Sequence, residues 1–232
     1  MTWQTFNVKK NTIANFDQSA GGSSAHTLVA VNQVKDPSAN PTQILGAIQA
    51  PGQVYILKAN GVIFGGSSQI NVGSLLAAAT MTPGSQFIQN GLYQNYAAGR
   101  GSIVVQSGAQ IATNTPQTTA SGGGFVILLG DSVTNSGTIT TPNGQTLMAA
   151  GKGLLLRQGY SIGPSSSTQN TTSTTIGTEA EVTKGGQVTN SGLIESRAQR
   201  DGQSFNPFER NNTDDFTAQR SRGKRGGFLK RV

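Results

Sequence analysis

The stretch GQVYILKANGVIFGGSSQINVGSLLAAA, residues 52–79, contains short apolar runs separated by glycine, asparagine and serine. Its runs VYIL, VIF and INV begin at Val54, Val62 and Ile70, so their starts lie 8 residues apart. That rhythm, with turn residues between the runs, is typical of short β-strands. The stretch therefore predicts consecutive strands and corners. The residues expected on the inward face are Val54, Ile56, Val62, Phe64, Ile70 and Val72.

The same rhythm extends along most of the chain. Further apolar runs begin at Ile44, Ile103 and Phe125, and Asn60-Gly61 is one of several turn dipeptides that stand between runs. Glycine and asparagine tolerate the positive φ that tight turns require. The sequence therefore predicts an all-β fold.

An internal repeat narrows the architecture. VTNSGTI at residues 133–139 returns as VTNSGLI at residues 188–194, 55 positions later. Repetition of this kind indicates a solenoid in which one coil is reused. We expect a parallel β-helix in which asparagine, serine and threonine side chains form hydrogen-bonded ladders between coils, with β-branched residues stacked inside. A β-sandwich is the alternative architecture.

Several segments interrupt or follow the coils. The best helical candidates are residues 74–81, which can also continue as a strand, and residues 91–100. The Ser/Thr-rich residues 164–181 are interpreted as a surface excursion. Residues 1–197 are predicted to form the β-helical domain, and the polar, basic tail, residues 198–232, is predicted to be disordered.

Composition removes several functional classes. The chain has no cysteine and one histidine, which excludes disulfides and thiolate metal sites. Its net charge is +7, and residues 198–232 hold eight basic and four acidic residues. A short charge run of this kind is usually solvated, so no nucleic-acid partner is expected. No apolar run reaches the roughly 18–20 residues of a membrane span, so no transmembrane segment is expected.

Catalytic chemistry finds little support in the sequence. The only carboxylates before residue 150 are Asp17, Asp36 and Asp131, which form no paired motif. Asp36 precedes a proline and is interpreted as a turn residue. His26 lies in a Ser/Gly loop with no nucleophile elbow, and the glycine-rich loops lack phosphate-binding spacing. We expect no enzyme activity, no catalytic residue, no metal site and no cofactor.

Four motifs in order suggest a family. They are WQTFNV at residues 3–8, VNQVKDPSANPTQILGAIQAPGQVYILKANGVIFG at 31–65, QINVGSLLAA at 69–78 and GGFVILLGDSVTNSGTITTPNGQTLMAAG at 123–151. Together they resemble the N-terminal secretion domain of filamentous haemagglutinin-like proteins, the exported partners of bacterial two-partner secretion systems. The resemblance covers about residues 2–159.

The resemblance implies a right-handed parallel β-helix with short antiparallel elements outside the coils. It also implies recognition in the periplasm by an outer-membrane transporter with periplasmic modules, followed by secretion to the cell surface. There the domain would nucleate folding of the adhesin or haemagglutinin that follows it. Host-surface glycans or proteins are further expected partners.

The transporter-recognition motif is carried over residue by residue. The family's Asn-Pro-Asn-Gly turn falls on Lys58, Ala59, Asn60 and Gly61, so its second half is kept and its first half is replaced. We expect transporter recognition to weaken first at Lys58 and Ala59. The full set of predicted recognition residues is Asn40, Pro41, Lys58, Ala59, Asn60, Gly61, Val62, Ile63, Phe64 and Gly65.

A second functional class stays open. The family's signal peptide and N-terminal cap would precede Trp3, and neither is recognisable in this sequence. Without a cap, the Trp3 end is expected to be less stable and to self-associate. The alternative function is therefore a stand-alone β-helical protein, carbohydrate-binding or structural, encoded by a truncated gene copy.

Overall fold

The computed structural model describes residues 1–114, 123–158 and 177–196. Within them, the α-helix α1 spans Gly84–Asn90 and a 3-10 helix spans Ser19–Thr27. The strands are β1 (Thr2–Trp3), β2 (Ile13–Asn15), β3 (Val29–Val34), β4 (Thr42–Ile44), β5 (Ala47–Leu57), β6 (Gly61–Phe64), β7 (Gln69–Ala78), β8 (Asn95–Ala97), β9 (Ser102–Val105), β10 (Gln110–Thr113), β11 (Phe125–Gly130), β12 (Ser132–Asn135), β13 (Thr138–Thr140), β14 (Gln145–Gln158), β15 (Thr178–Gly185), β16 (Gln187–Asn190) and β17 (Leu193–Glu195).

The strands wind as coils with three faces, and the pairing between coils is parallel. Face 1 contains β2, the first halves of β5 and β7, then β10, β13 and β17. Face 2 contains β1, β3, the second halves of β5 and β7, then β11 and the start of β14. Face 3 contains β4, β6, β9, β12 and β16. The parallel β-helix is confirmed, and the β-sandwich alternative is wrong.

The interior of the coils is the apolar core. All six residues predicted for the inward face are buried, and none is more than 2% exposed. They alternate with outward-facing side chains, as the pleat of a strand requires. Equivalent residues of successive coils stack on one another, as Ile48, Ile70 and Ile111 do on face 1.

The internal repeat corresponds to two stacked coils. Val133 pairs with Val188, and Ile139 pairs with Ile194. The Asn135 side-chain Nδ2 donates to Oδ1 of Asn190 at 2.8 Å, across one strand spacing. The predicted ladder between equivalent turn residues is therefore present, and it satisfies an amide that is fully buried.

Antiparallel elements outside the coils cover face 2. Strand β14 continues beyond the coil and pairs antiparallel with both β15 and β8. Its Leu154 and Leu156, with Tyr96 of β8 and Phe87 of α1, form a second apolar cluster on the outer side of face 2. The expected antiparallel elements are confirmed, and faces 1 and 3 remain the uncovered faces of the described coils.

The two helical candidates are wrong as helices. Residues 74–78 continue β7, because Leu75 and Leu76 are buried on opposite sides of face 2 and make the run apolar throughout. Residues 95–97 form β8, whereas the helix forms earlier in the chain, at α1.

Some predictions fall on residues that the structure does not describe. Most of the predicted surface excursion, residues 164–176, and the whole tail, residues 198–232, lie outside the described ranges. The remaining part of the excursion enters β15. Across the described ranges, no helix combines the length and apolar character that crossing a membrane demands.

Candidate functional site

The structure brings together the two separate parts of the predicted recognition motif. Asn40 and Pro41 lie directly before β4, and Asn60 lies directly before β6, whose first residue is Gly61. Because Thr42 is the register partner of Val62, these two dipeptides occupy equivalent positions in adjacent coils. Neighbouring strands lie about 4.8 Å apart, so the parts form one surface. We call Asn40, Pro41, Ala59 and Asn60 the asparagine corner.

A tight turn forms the second part of this corner. The Gly61 backbone N–H donates to the Lys58 carbonyl at 2.9 Å, which closes the turn over Ala59 and Asn60. Gly61 has a φ of 95°, a conformation that glycine adopts without strain. A Cβ at this position would also lie 2.2 Å from the Ser102 carbonyl oxygen of the next coil. Glycine is therefore required here by both conformation and space.

Lys58 lies inside the corner and not on its surface. It is only 1% exposed and is among the largest fully buried side chains in the described ranges. Its Nζ is 3.5 Å from Oδ2 of Asp36 and donates to the Asp36 carbonyl at 3.4 Å. Asp36 belongs to the preceding coil, so this ion pair joins two coils at the corner. The charge that departs from the family's motif is thus neutralised inside the protein.

Asp36 and Ser38 connect the buried lysine to the surface. The Ser38 hydroxyl donates to Oδ1 of Asp36 at 2.6 Å, and the Ser38 backbone N–H donates to the same oxygen at 2.8 Å. Asn40 Nδ2 then donates to the Ser38 hydroxyl at 3.1 Å. A continuous series of polar contacts therefore runs from Lys58 to the exposed Asn40. Neither Asp36 nor Ser38 could be identified as part of the site from the sequence, because a turn alone accounts for the segment KDPSANP.

The predicted motif divides into buried and accessible residues. Its accessible members are Asn40, Pro41, Ala59, Asn60 and Ile63, and its buried members are Lys58, Gly61, Val62, Phe64 and Gly65. Ile63 points outward on face 3, where its register partners are Gln43 and Val104. The buried members therefore shape the surface, and the accessible members are those that another protein would contact. The motif's role in recognition stays a prediction.

Protonation of Asp36 is expected to couple the corner to pH. The Ser38 hydroxyl and backbone N–H, with a smaller contribution from Lys58, hold the pKa of Asp36 below its ordinary value of 3.8. A carboxyl group with a lowered folded-state pKa stabilises the fold above its unfolded-state pKa. That stabilisation is lost as pH falls through the lowered folded-state pKa. Ser38→Ala should raise the Asp36 pKa and move acid unfolding to higher pH.

An NMR titration of the Asp36 carboxyl carbon, with acid unfolding followed by circular dichroism, measures both effects. Ser107→Ala is the control, since Ser107 is exposed and has no hydrogen bond from its hydroxyl within the described residues. An Asp36 pKa unchanged by Ser38→Ala would contradict the assignment of Ser38 as its main stabilising partner.

The chain matches a defined family of proteins. The family model for the TPS secretion domain matches residues 1–198 of this 232-residue chain. The chain belongs to the TPS secretion domain family. The resemblance inferred from the sequence motifs is confirmed, and the protein is placed among the exoproteins of two-partner secretion.

A curated relative supports the same assignment for this TPS domain. The chain is 30% identical over 151 residues to the heme/hemopexin-binding protein of Haemophilus influenzae. The match covers 64% of this chain and 16% of the relative. The chain thus spans a small part of the length of that relative, and the relative's binding activity is a property of that protein.

The acidic residues of the first 150 positions have local structural partners. Asp17 accepts a hydrogen bond from the Ser19 backbone N–H at 2.9 Å, and Asp131 pairs with the exposed Lys152 at 2.8 Å. Within the described ranges, no three histidine, cysteine or acidic side chains lie together as metal ligands would. His26 contacts the Ser23 carbonyl inside the 3-10 helix. The described surface therefore offers the asparagine corner as its main candidate site.

Proposed function

We propose that this TPS domain directs its exoprotein to secretion by binding the periplasmic modules of an outer-membrane transporter through the asparagine corner and Ile63. The observation that carries the proposal is the register of β4 and β6, which aligns Asn40-Pro41 with Asn60-Gly61. Two motif parts separated by 20 residues in sequence thereby form one contiguous surface. Secretion to the cell surface follows from this role.

The corner has the properties of a preorganised binding surface. The Asn60 amide has no hydrogen-bond partner among the described residues, so its donors and acceptor are available. Asn40 is held by Ser38, and the backbone beneath is fixed by the Lys58 turn. A surface that is already ordered loses little conformational entropy on binding. Half-buried Ile63 adds an apolar contact beside these amides.

We further propose that the domain acts by binding and folding and has no enzyme activity. The described carboxylates of the first 150 residues are engaged in turn contacts or ion pairs. At the last described coil, β16 and β17 each pair on one side only. Their outer edges present backbone donors and acceptors to which a following coil can add. This end supports a role in nucleating the fold of the sequence behind it.

Binding to the transporter tests the proposal directly. The double variant Asn40→Ala/Asn60→Ala should lower affinity for the cognate transporter's periplasmic modules at least tenfold, which corresponds to about 1.4 kcal/mol. Biolayer interferometry with the immobilised modules measures the affinity, and thermal unfolding confirms that both proteins are folded. Asn71→Ala, which removes an exposed amide on face 1, is the matched control and should bind normally. Equal affinity of the double variant and the unmodified protein would refute the proposed contact.

A further inference from the structure

Within the described ranges, no element covers face 1, and its central strands carry no charge. Residues 47–50, 69–72, 110–113 and 138–140 contain no acidic or basic residue. Face 2 is covered by the antiparallel elements, whereas the outward amides of face 1 are exposed. A neutral surface has no electrostatic attraction for a polyanion such as a nucleic acid or a sulfated glycan.

The outward side chains of face 1 form an ordered band of amides. Asn15, Gln49 and Asn71 are register partners in one column, and Gln69 and Gln110 are partners in the neighbouring column. The band therefore crosses the four strands β2, β5, β7 and β10. Its spacing is about 4.8 Å between strands and about 6.6 Å between alternate residues of one strand. The hydroxyls of Thr138 and Thr140 follow it on β13.

The amides in this band make no hydrogen bonds within the described residues. Elsewhere the protein uses its amides internally: Asn135 bonds Asn190, and Gln18 accepts from the Gly52 backbone N–H at 2.7 Å. Stacked amides commonly bond to one another along a ladder. On face 1 they do not, so each offers two N–H donors and one carbonyl acceptor to a ligand.

We propose that face 1 binds a linear neutral polysaccharide lying along the helix axis across the amide band. Hydroxyl groups both donate and accept, so they match primary amides in type, and an uncharged polymer matches an uncharged surface. One such hydrogen bond contributes little net free energy in water, so binding depends on several of them. A repeating polymer supplies them at successive strands. This activity is separate from transporter recognition, which involves the asparagine corner and face 3.

Titration of the full chain with cellohexaose and with β-1,4-mannohexaose tests the proposal. We expect saturable binding of at least one of them by calorimetry. The variant Gln49→Ala/Gln69→Ala/Asn71→Ala/Gln110→Ala should reduce the association constant at least tenfold. Gln86→Ala/Gln89→Ala removes two exposed amides of α1 and is the matched control, which should bind as the unmodified protein does.

NMR of the unmodified protein provides a measurement that does not depend on a variant folding correctly. The side-chain NH₂ resonances of the face 1 amides should shift during the titration, and those of Gln86 and Gln89 should not. Absence of saturable binding by both hexasaccharides, or shifts confined to other surfaces, would overturn the proposal. Concentration-dependent self-association abolished by the four-residue variant, without sugar binding, would reassign face 1 to a second copy of the chain. Transporter binding is unaffected in either case, which keeps the two proposals distinguishable.

Discussion

Truncation of Lys58 to alanine is expected to lower the free energy of unfolding by about 3–5 kcal/mol, because it breaks a buried ion pair and leaves a cavity. The Lys58 side chain is 2% exposed, so its four methylene groups contribute packing as well as charge. Its partner Asp36 belongs to the preceding coil, so the loss also weakens the contact between coils. Urea unfolding followed by circular dichroism measures the change.

Companion variants separate packing from charge. Lys58→Met keeps most of the volume of the stem and leaves Asp36 bonded to Ser38, so it should destabilise less than Lys58→Ala. Asp36→Asn leaves the buried ammonium without its counter-charge and should destabilise more than Lys58→Met. The double variant Asp36→Asn/Lys58→Met removes both charges and should recover much of the stability that Asp36→Asn loses.

An exposed ion pair of the same protein is the control for these variants. Lys152 and Asp131 approach to 2.8 Å, but the Lys152 side chain is 57% exposed. Lys152→Met should therefore change the free energy of unfolding by no more than about 1 kcal/mol. Equal effects of Lys58→Met and Asp36→Asn, or a Lys58→Ala effect no larger than that of Lys152→Met, would show that the buried pair does not join the coils.

The coils could be predicted from the sequence because their signals are local or repeated. The alternation of Val62 and Phe64 specifies an inward face within four residues, and the repeat around Asn135 and Asn190 specifies which coils stack. These signals require no knowledge of the rest of the fold. They were sufficient for the β-helix, for its core and for the ladder between the two repeats.

The extra elements could not be predicted in the same way. Leu76 lies on the outer side of face 2 and is buried only because α1, β8 and the end of β14 cover it. The sequence around Leu76 is therefore a continuous apolar run without the alternation of a half-buried strand. A short run of leucine and alanine does not distinguish a helix from a strand. The strands that cover Leu76 come from distant parts of the chain, so no local sequence pattern predicts that they pack there.

The role of Lys58 was missed for a similar reason. The resemblance identifies it as a departure from the family's turn, where transporter recognition is expected to weaken first. Its partner Asp36 lies 22 residues earlier and enters the corner only when the coils stack. A charge in an otherwise polar turn gives no sign of burial until that neighbouring coil is in place. The candidate site was therefore located by sequence, but its internal structure was not.

Truncation of two adjacent residues of the predicted motif is expected to have different effects. Phe64→Ala should mainly lower stability, whereas Ile63→Ala should mainly lower affinity for the transporter. Phe64 is fully buried in the core, and Phe64→Ala should lower the free energy of unfolding by about 3–5 kcal/mol. Ile63 points outward and is half-buried, so Ile63→Ala should cost about 1 kcal/mol or less while it weakens binding to the transporter's periplasmic modules. Chemical denaturation and biolayer interferometry on both variants measure the two quantities.

The affinities of the two variants show whether the transporter binds the folded coil or the segment before it folds. If the transporter binds the surface of a preformed coil, Ile63→Ala should lose affinity while it remains folded. Phe64→Ala should bind normally at temperatures where it remains folded. Val104→Ala tests the same surface from the neighbouring strand, because Val104 is the register partner of Ile63 on β9. Loss of affinity in folded Phe64→Ala with normal binding by Ile63→Ala would instead mean that the transporter binds the segment before it folds, since only an unfolded segment exposes the phenyl ring.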